Sequence, residues 1–171
     1  MTKYVLSLDG GGVRGLASAN FLRKLEFEMH KPLLEKFDLV CGSSTGGILA
    51  IALSVLKLNG SRLVNIYSSR NLKRIFSTSM PRVFGPKYGG RRKNNVLREY
   101  FGSLTLAEAE TPAIAVSYDL KNRSTRLFKT FEDKEMEAWK VASATSAAPT
   151  FFPAIKINNL SLIHISEPTR P

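Results

Sequence analysis

Two apolar runs of strand length, at residues 4–8 and 37–41, each close in a glycine-rich turn, and each turn opens into a stretch that is apolar with helical spacing. The turns read Asp9-Gly10-Gly11-Gly12-Val13-Arg14-Gly15 and Gly42-Ser43-Ser44-Thr45-Gly46-Gly47. Strand, turn and helix, repeated in that order, imply a parallel sheet crossed by helices. Both turns then fall at the carboxyl ends of parallel strands, where ligands of open α/β sheets collect. The pairing of the turns constrains the chain more than either turn alone.

A chain of 171 residues, 43% of them hydrophobic, fits a single domain of ordinary size with one core. Lys and Arg total 25 against 14 Asp and Glu, a formal charge of +11, so the surface should attract anionic partners such as acidic lipid head groups or nucleic acid. The lone cysteine, Cys41, excludes an internal disulfide, and its place in an apolar strand reads as a core thiol compatible with reducing cytosol. No signal peptide is expected at the start. The longest apolar stretch, 48–56, falls far short of the ~20 residues a membrane span needs. Any action on a membrane is expected to come from its side.

Periodicity predicts a helix over 15–29, ended by Pro32, and a second over 48–56 that is apolar nearly all round, as befits a helix at the centre of a domain. Further helices are expected over 61–76, 95–101 and 135–144, and strands over 113–118, 125–129 and 154–157. The stretch between Pro81 and Lys93 reads as a loop and is the most basic part of the chain, with Arg82, Lys87, Arg91 and Arg92. Residues 161–171 do not continue the pattern. They read as an atypical tail, either a foreign segment or an unusual natural end.

The second turn fits G-x-S-x-G, in which small flanking residues let a strand reverse into a helix so sharply that the central hydroxyl, here Ser44, stands at the helix N-terminus. The first turn offers backbone N–H groups, backed by the positive end of the next helix, to an oxyanion. Gly10 to Gly15 also fits a dinucleotide fingerprint, but no acid ends the second strand to hold a ribose, and Leu16-Ala17 stands where a phosphate loop needs Lys and Ser or Thr. A serine nucleophile needs a base. His30 precedes the elbow and reads as a surface residue, while His164 lies in the atypical tail, so a Ser-His-Asp triad is poorly supported. The elbow also follows the second strand, earlier than in an ordinary α/β-hydrolase. A serine assisted directly by a carboxylate is the remaining option.

These residues resemble the patatin-like phospholipases, a family of lipid acyl hydrolases. Its D-G-G-G-x-R-G turn is similar to Asp9 to Gly15, its G-x-S-x-G elbow to Gly42 to Gly46, and Ser117-Tyr118-Asp119-Leu120 and the Ala142 to Pro153 block resemble later parts of its pattern. The resemblance implies a three-layer α/β fold with a mainly parallel central sheet and helices on both faces, with residues 1–160 forming a domain incomplete at its C-terminal side. It implies Ser44 as nucleophile and the N–H groups of Gly11 and Gly12 as the oxyanion hole, with Arg14 steadying the loop or a phosphate. Gly10, Gly15, Gly42 and Gly46 shape the turns. The family's second catalytic residue is an Asp in a D-G-G or D-G-A turn after the Pro153 block, and no Asp stands between Pro153 and Pro171. Asp9, Asp38, Asp119, Asp133 and Glu167 match no catalytic position. The expected activity is phospholipase A-type cleavage of fatty-acyl esters without metal or cofactor, and the alternative is a non-catalytic lipid- or partner-binding relative. The expected partners are the lipid substrate and an anionic membrane surface rather than nucleic acid, and the expected location is cytoplasmic with peripheral membrane contact. Sheet surface left uncovered in so short a domain should lower its solubility.

Overall fold

The computed structural model describes residues 2–77 and 85–165. The expectations placed on residues 78–84, which include Pro81 and Arg82, and on 166–171 lie outside the described residues.

Three strands, β1 (Val5–Leu8), β2 (Leu39–Ser43) and β3 (Ala113–Asp119), run parallel, with Leu8 opposite Gly42 and Ser43 opposite Val116. Helix α1 (Gly15–Met29) joins β1 to β2, with the short α2 (Leu33–Lys36) on the way, and α3 (Thr45–Leu56) follows β2 directly. Right-handed crossovers in a sheet that grows in one direction put α1 and α3 on the same face. That face carries Leu6, Leu8, Val40, Ala113 and Ala115, all in one cluster with Leu22, Leu49, Ile51 and Leu53. Leu49 to Leu53 are buried without a break, the all-round burial expected of a central helix.

Beyond β3 the sheet turns antiparallel. β4 (Ser124–Lys129) lies along β3 from Ile114 to Asp119. With that edge taken, β6 (Leu160–Ile163) pairs with Tyr118 and Asp119 on the other edge, where β2 has stopped, and β5 (Ile155–Ile157) pairs with β6. The sheet is therefore mixed. Alternate positions on the opposite face, Leu39, Cys41, Ile114 and Val116, are only half-buried, and Val5 is 56% exposed.

Helix α7 (Ala138–Thr145) begins near Leu104, whose carbonyl accepts the Ala138 N–H, and ends at the carboxyl ends of the strands. Helix α6 (Gly90–Phe101) packs on α7 and runs the other way. Its start meets the segment after α7, because the Lys87 and Tyr88 N–H groups donate to the Thr150 and Phe151 carbonyls.

Several expected boundaries move. The helix predicted over 61–76 is two, α4 (Gly60–Ile66) and α5 (Ser69–Ile75). Asn71 Nδ2 takes the Asn65 and Ile66 carbonyls that a continuing helix would need, and the Ser68 hydroxyl caps the second helix by accepting the Asn71 N–H. Helix α6 starts five residues before the predicted 95–101, so Gly90 to Lys93 are helical rather than loop. Helix α7 starts at Ala138 rather than 135, because Met136 donates to the Asp133 carbonyl in a turn. The predicted strand over 37–41 lies two residues later, since Phe37 still donates to the Leu33 carbonyl and ends α2. Ser161 to Ile163, read as the start of an atypical tail, complete β6, and their backbone joins the ladder that Asn158-Asn159 reverses. Cys41, expected as a core thiol, is half-buried because it points to the open face.

Candidate active site

Ser44 sits between β2 and α3 with φ 54° and ψ −124°, a conformation uncommon for a non-glycine residue, and its carbonyl accepts the Ile48 N–H to start the helix. Its side chain makes no capping bond, so the hydroxyl is not consumed by the helix it introduces. Two glycines make the turn possible. A Cβ on Gly42 would overlap the Gly46 backbone, and one on Gly46 would overlap the Leu8 carbonyl of the neighbouring strand. The residue is 9% exposed, open to solvent over a small part of its surface.

The first glycine turn lies against the second. A Cβ on Gly10 would sit 2.9 Å from the Ser44 Cβ and 3.4 Å from the Ser43 carbonyl oxygen, so only a glycine lets the backbone come this close. From Gly12 to Arg14 the chain forms a 3-10 turn, closed by the Arg14 N–H on the Gly11 carbonyl at 3.1 Å, and Gly12 takes a positive φ of 58°. The Gly11 N–H precedes this turn, and the Gly12 N–H is its first, a position whose donor the turn itself leaves unused. Gly15 is pressed against Thr45 and Tyr67, whose hydroxyls are hydrogen-bonded behind the elbow. Burial pushes the Tyr67 phenol up to about 12, against the pull of the Thr45 bond. It stays neutral there. Val13 and Arg14 are exposed at the rim.

A third element locks the elbow. The Ser44 N–H donates to Thr145 Oγ1 at 2.9 Å, and that hydroxyl donates to the Val116 carbonyl at 2.6 Å, joining α7, β3 and the elbow through one fully buried side chain. Lys93, on α6, is buried beneath. Its ammonium donates to the Ser143 carbonyl at 2.8 Å and to Ser146 Oγ at 3.1 Å, and lies 4.8 Å from the centre of the Phe152 ring. Burial pushes Lys93 down to about 7. Neither Thr145 nor Lys93 stood out in the sequence, where one falls just past the helix predicted over 135–144 and the other ends a basic run.

His164 comes to the same end of the sheet. Its N–H donates to the Ala147 carbonyl, and Nδ1 lies 3.1 Å from the Thr145 carbonyl, which makes Nδ1 the protonated nitrogen. Burial holds its pKa below the ordinary value, with the Thr145 bond opposing and the Lys93 charge adding to the fall. His30 ends α1 in a left-handed cap at the opposite end. Asp38 is held below the carboxylate range by the Lys3 ammonium and the Tyr4 N–H. Burial would raise the Asp119 pKa, but the Lys121 and Ser161 N–H groups and the Asn122 amide bring it down instead. Asp133 binds Arg126 and the Lys129 N–H. All three carboxylates are occupied by structural partners. A cavity of about 560 Å³, lined among others by Glu26, His30, Leu33 and Lys57, lies at the amino ends of the strands and touches none of the predicted site residues.

A mixed α/β sheet whose three parallel strands carry a strained serine between strand and helix, faced by a glycine turn from the adjacent strand, defines the class of architecture. Residues 6–163 match the model of the patatin-like phospholipase family, and the chain belongs to that family. It is 33% identical to patatin-like protein 2 of Oryza sativa subsp. indica over 88% of this chain and 44% of that protein. Against patatin group A-3 of Solanum tuberosum the identity is 32%, over 87% of this chain and 43% of that one. Against the cGAMP-activated phospholipase of Pseudomonas aeruginosa it is 32%, over 89% and 49%. The chain thus spans a little under half the length of these relatives. Among solved structures, VipD from Legionella pneumophila superposes with a TM-score of 0.72 at 10% identity over 95% of this chain and 45% of that one. The effector ExoU gives 0.52 at 13% identity over 86% and 40%. These likenesses show the three-layer α/β fold.

Proposed function

We propose that this chain carries the nucleophile half of a serine lipid acyl hydrolase. The observation that supports it most is the approach of Gly10 to Ser44, which sets a strained serine beside backbone donors at the carboxyl end of the sheet. In this reading Ser44 Oγ attacks the carbonyl carbon of a fatty-acyl ester while a base takes its proton. The oxyanion is received by the N–H groups of Gly11 and Gly12, and Arg14 steadies the loop or a lipid phosphate. The ester oxygen leaves with a proton, and water then releases the fatty acid and restores the serine.

The base is a carboxylate supplied by a D-G-G or D-G-A turn beyond these 171 residues. Asp133 is the last Asp of the chain, the described Asp38, Asp119 and Asp133 are occupied elsewhere, and the relatives are more than twice as long as the segment matched in them. The position of His164 favours a second reading, in which its Nε2 serves as base within this chain. The alternative of a different class is a lipid- or partner-binding relative that does no chemistry.

Hydrolysis of a p-nitrophenyl ester separates the three. A protein of the relatives' length should lose about 10³-fold or more in rate with Ser44→Ala, and equal rates would exclude the hydrolase. If the 171-residue chain is active by itself and His164→Asn abolishes that activity, the base is the imidazole rather than an outlying carboxylate.

A further inference from the structure

Acids are distributed unevenly along the sheet axis. The amino ends of the parallel strands gather the acids: Glu28 at the end of α1, Glu35 in α2, Asp38 before β2, Glu110 before β3, Glu132 after β4 and Glu137 before α7. Four cations at this end are ion-paired, in Lys3–Asp38, Lys57–Glu110, Lys129–Glu132 and Lys140–Glu137, while Lys31, Lys36 and Lys134 there have no ion pair among the described residues. At the carboxyl ends stand Arg14 beside the first glycine turn, Lys87, Arg91 and Arg92 at the start of α6, and Lys121 and Arg123 in the turn from β3 to β4, all exposed. Among the described residues none of these six is ion-paired. Among the described residues the acids there are Asp9 and Asp119, and Asp119 is buried and spends its charge on the Lys121 and Ser161 N–H groups.

Apolar side chains stand out of the same end. Val13 is 50% exposed, Leu120 46% and Phe151 48%. Phe151 stacks on Tyr88 with ring centres 6.4 Å apart, Tyr88 packs on Phe152 and Phe76, and the Lys87 ammonium lies over the Tyr88 ring. These ring contacts leave about half of Phe151 open to solvent. Thr145, which takes the Ser44 N–H, ends the helix six residues before Phe151, so Phe151 follows the helix end that meets the turn.

We propose that the carboxyl-end face is a docking surface for an anionic lipid bilayer, with Lys87, Arg91, Arg92 and Arg14 meeting head groups while Phe151 and Val13 enter the acyl boundary beside Ser44. Cations flanking exposed aromatic and aliphatic groups fit an interface that is charged outside and apolar within. A nucleic acid would engage the cations and leave the projecting Val13, Leu120 and Phe151 in water. The proposal deepens the lipid-hydrolase reading and rests on it for its meaning, since it delivers Ser44 to the surface that holds its substrate.

Co-sedimentation of the 171-residue chain with vesicles tests it without any need for turnover. Vesicles of phosphatidylserine and phosphatidylcholine should retain the chain, and phosphatidylcholine vesicles should not. Exchange of Lys87, Arg91 and Arg92 for Ser should lower partitioning about 100-fold and Phe151→Ala about tenfold. Exchange of Lys31, Lys36 and Lys134 at the other end for Ser should change it less than threefold. Equal losses from the two triple variants, or equal retention by both kinds of vesicle, would overturn the proposal. So would binding to duplex DNA stronger than to vesicles at the same salt, lost with the Lys87, Arg91 and Arg92 variant. Ser44→Ala should dock like the parent chain. Docking that survives while the full-length protein shows no Ser44-dependent hydrolysis sinks the enzyme reading alone, and hydrolysis without docking sinks this one alone.

Discussion

At Ser44 a β-carbon occupies backbone space that glycine fills freely, at a cost on the order of 1–3 kcal/mol. The surrounding contacts hold it there. Ser44→Gly should therefore raise the unfolding free energy by about 1 kcal/mol in denaturant titration while Ser44→Ala leaves it near the parent value, and equal stabilities would mean that the turn is unstrained. Gly46→Ala points the other way: its Cβ would overlap the Leu8 carbonyl, so a loss of about 3 kcal/mol or failure to accumulate as folded protein is expected. Thr145→Val keeps the volume but removes the acceptor of the Ser44 N–H, leaving a buried donor unpaired at a cost of about 1–3 kcal/mol, and Thr145→Ser should restore most of it. A Thr145→Val protein as stable as the parent would show that this bond does not hold the elbow.

Lys93 joins two helices rather than two side chains, tying α6 to the carboxyl end of α7 where helix carbonyls favour a cation. Those contacts favour the charged form, and burial outweighs them, bringing the group to about 7. Between that value and the ordinary 10.5 the unfolded chain binds the extra proton, so stability rises with pH across this window and is lost as pH falls through it. Thermal melts should show an upward slope from about pH 7 to pH 10 that Lys93→Met removes, and an unchanged slope in the variant would place the charge elsewhere. Tyr67 acts in the opposite sense. Its folded value of about 12 exceeds the ordinary 10, so above pH 10 the unfolded chain releases a proton that the folded one keeps, and stability falls. Helix ends followed the same local logic less visibly in sequence. The break between α4 and α5 depends on Asn71 reaching back to Asn65 and Ile66, a contact that apolar periodicity does not encode.

Across the whole molecule the sheet is closed on one side and half-open on the other. Val5, Leu39, Cys41, Ile114 and Val116 share the open face, a continuous apolar surface of the kind that binds dyes and neighbouring chains. The 171-residue chain should therefore enhance anilinonaphthalene sulfonate fluorescence while showing a cooperative melt, and Val5→Thr with Ile114→Thr should lower that signal. A folded chain that leaves the dye dark would mean that this face is covered. The sequence alone determined the strand–turn–helix order, the central burial of α3 and the place of Ser44 between strand and helix, because period and glycine spacing are local and Gly10, Gly15, Gly42 and Gly46 mark approaches that no side chain allows. What tertiary structure decided was everything that depends on distant segments meeting. Thr145 reaches Ser44 from the far end of the chain, Lys93 becomes a buried pin instead of one more basic residue, Ser161 to Ile163 become a strand because β3 has an edge to spare, and Arg14, Lys87, Arg91 and Lys121 come to one end from separate segments because parallel strands align their carboxyl termini.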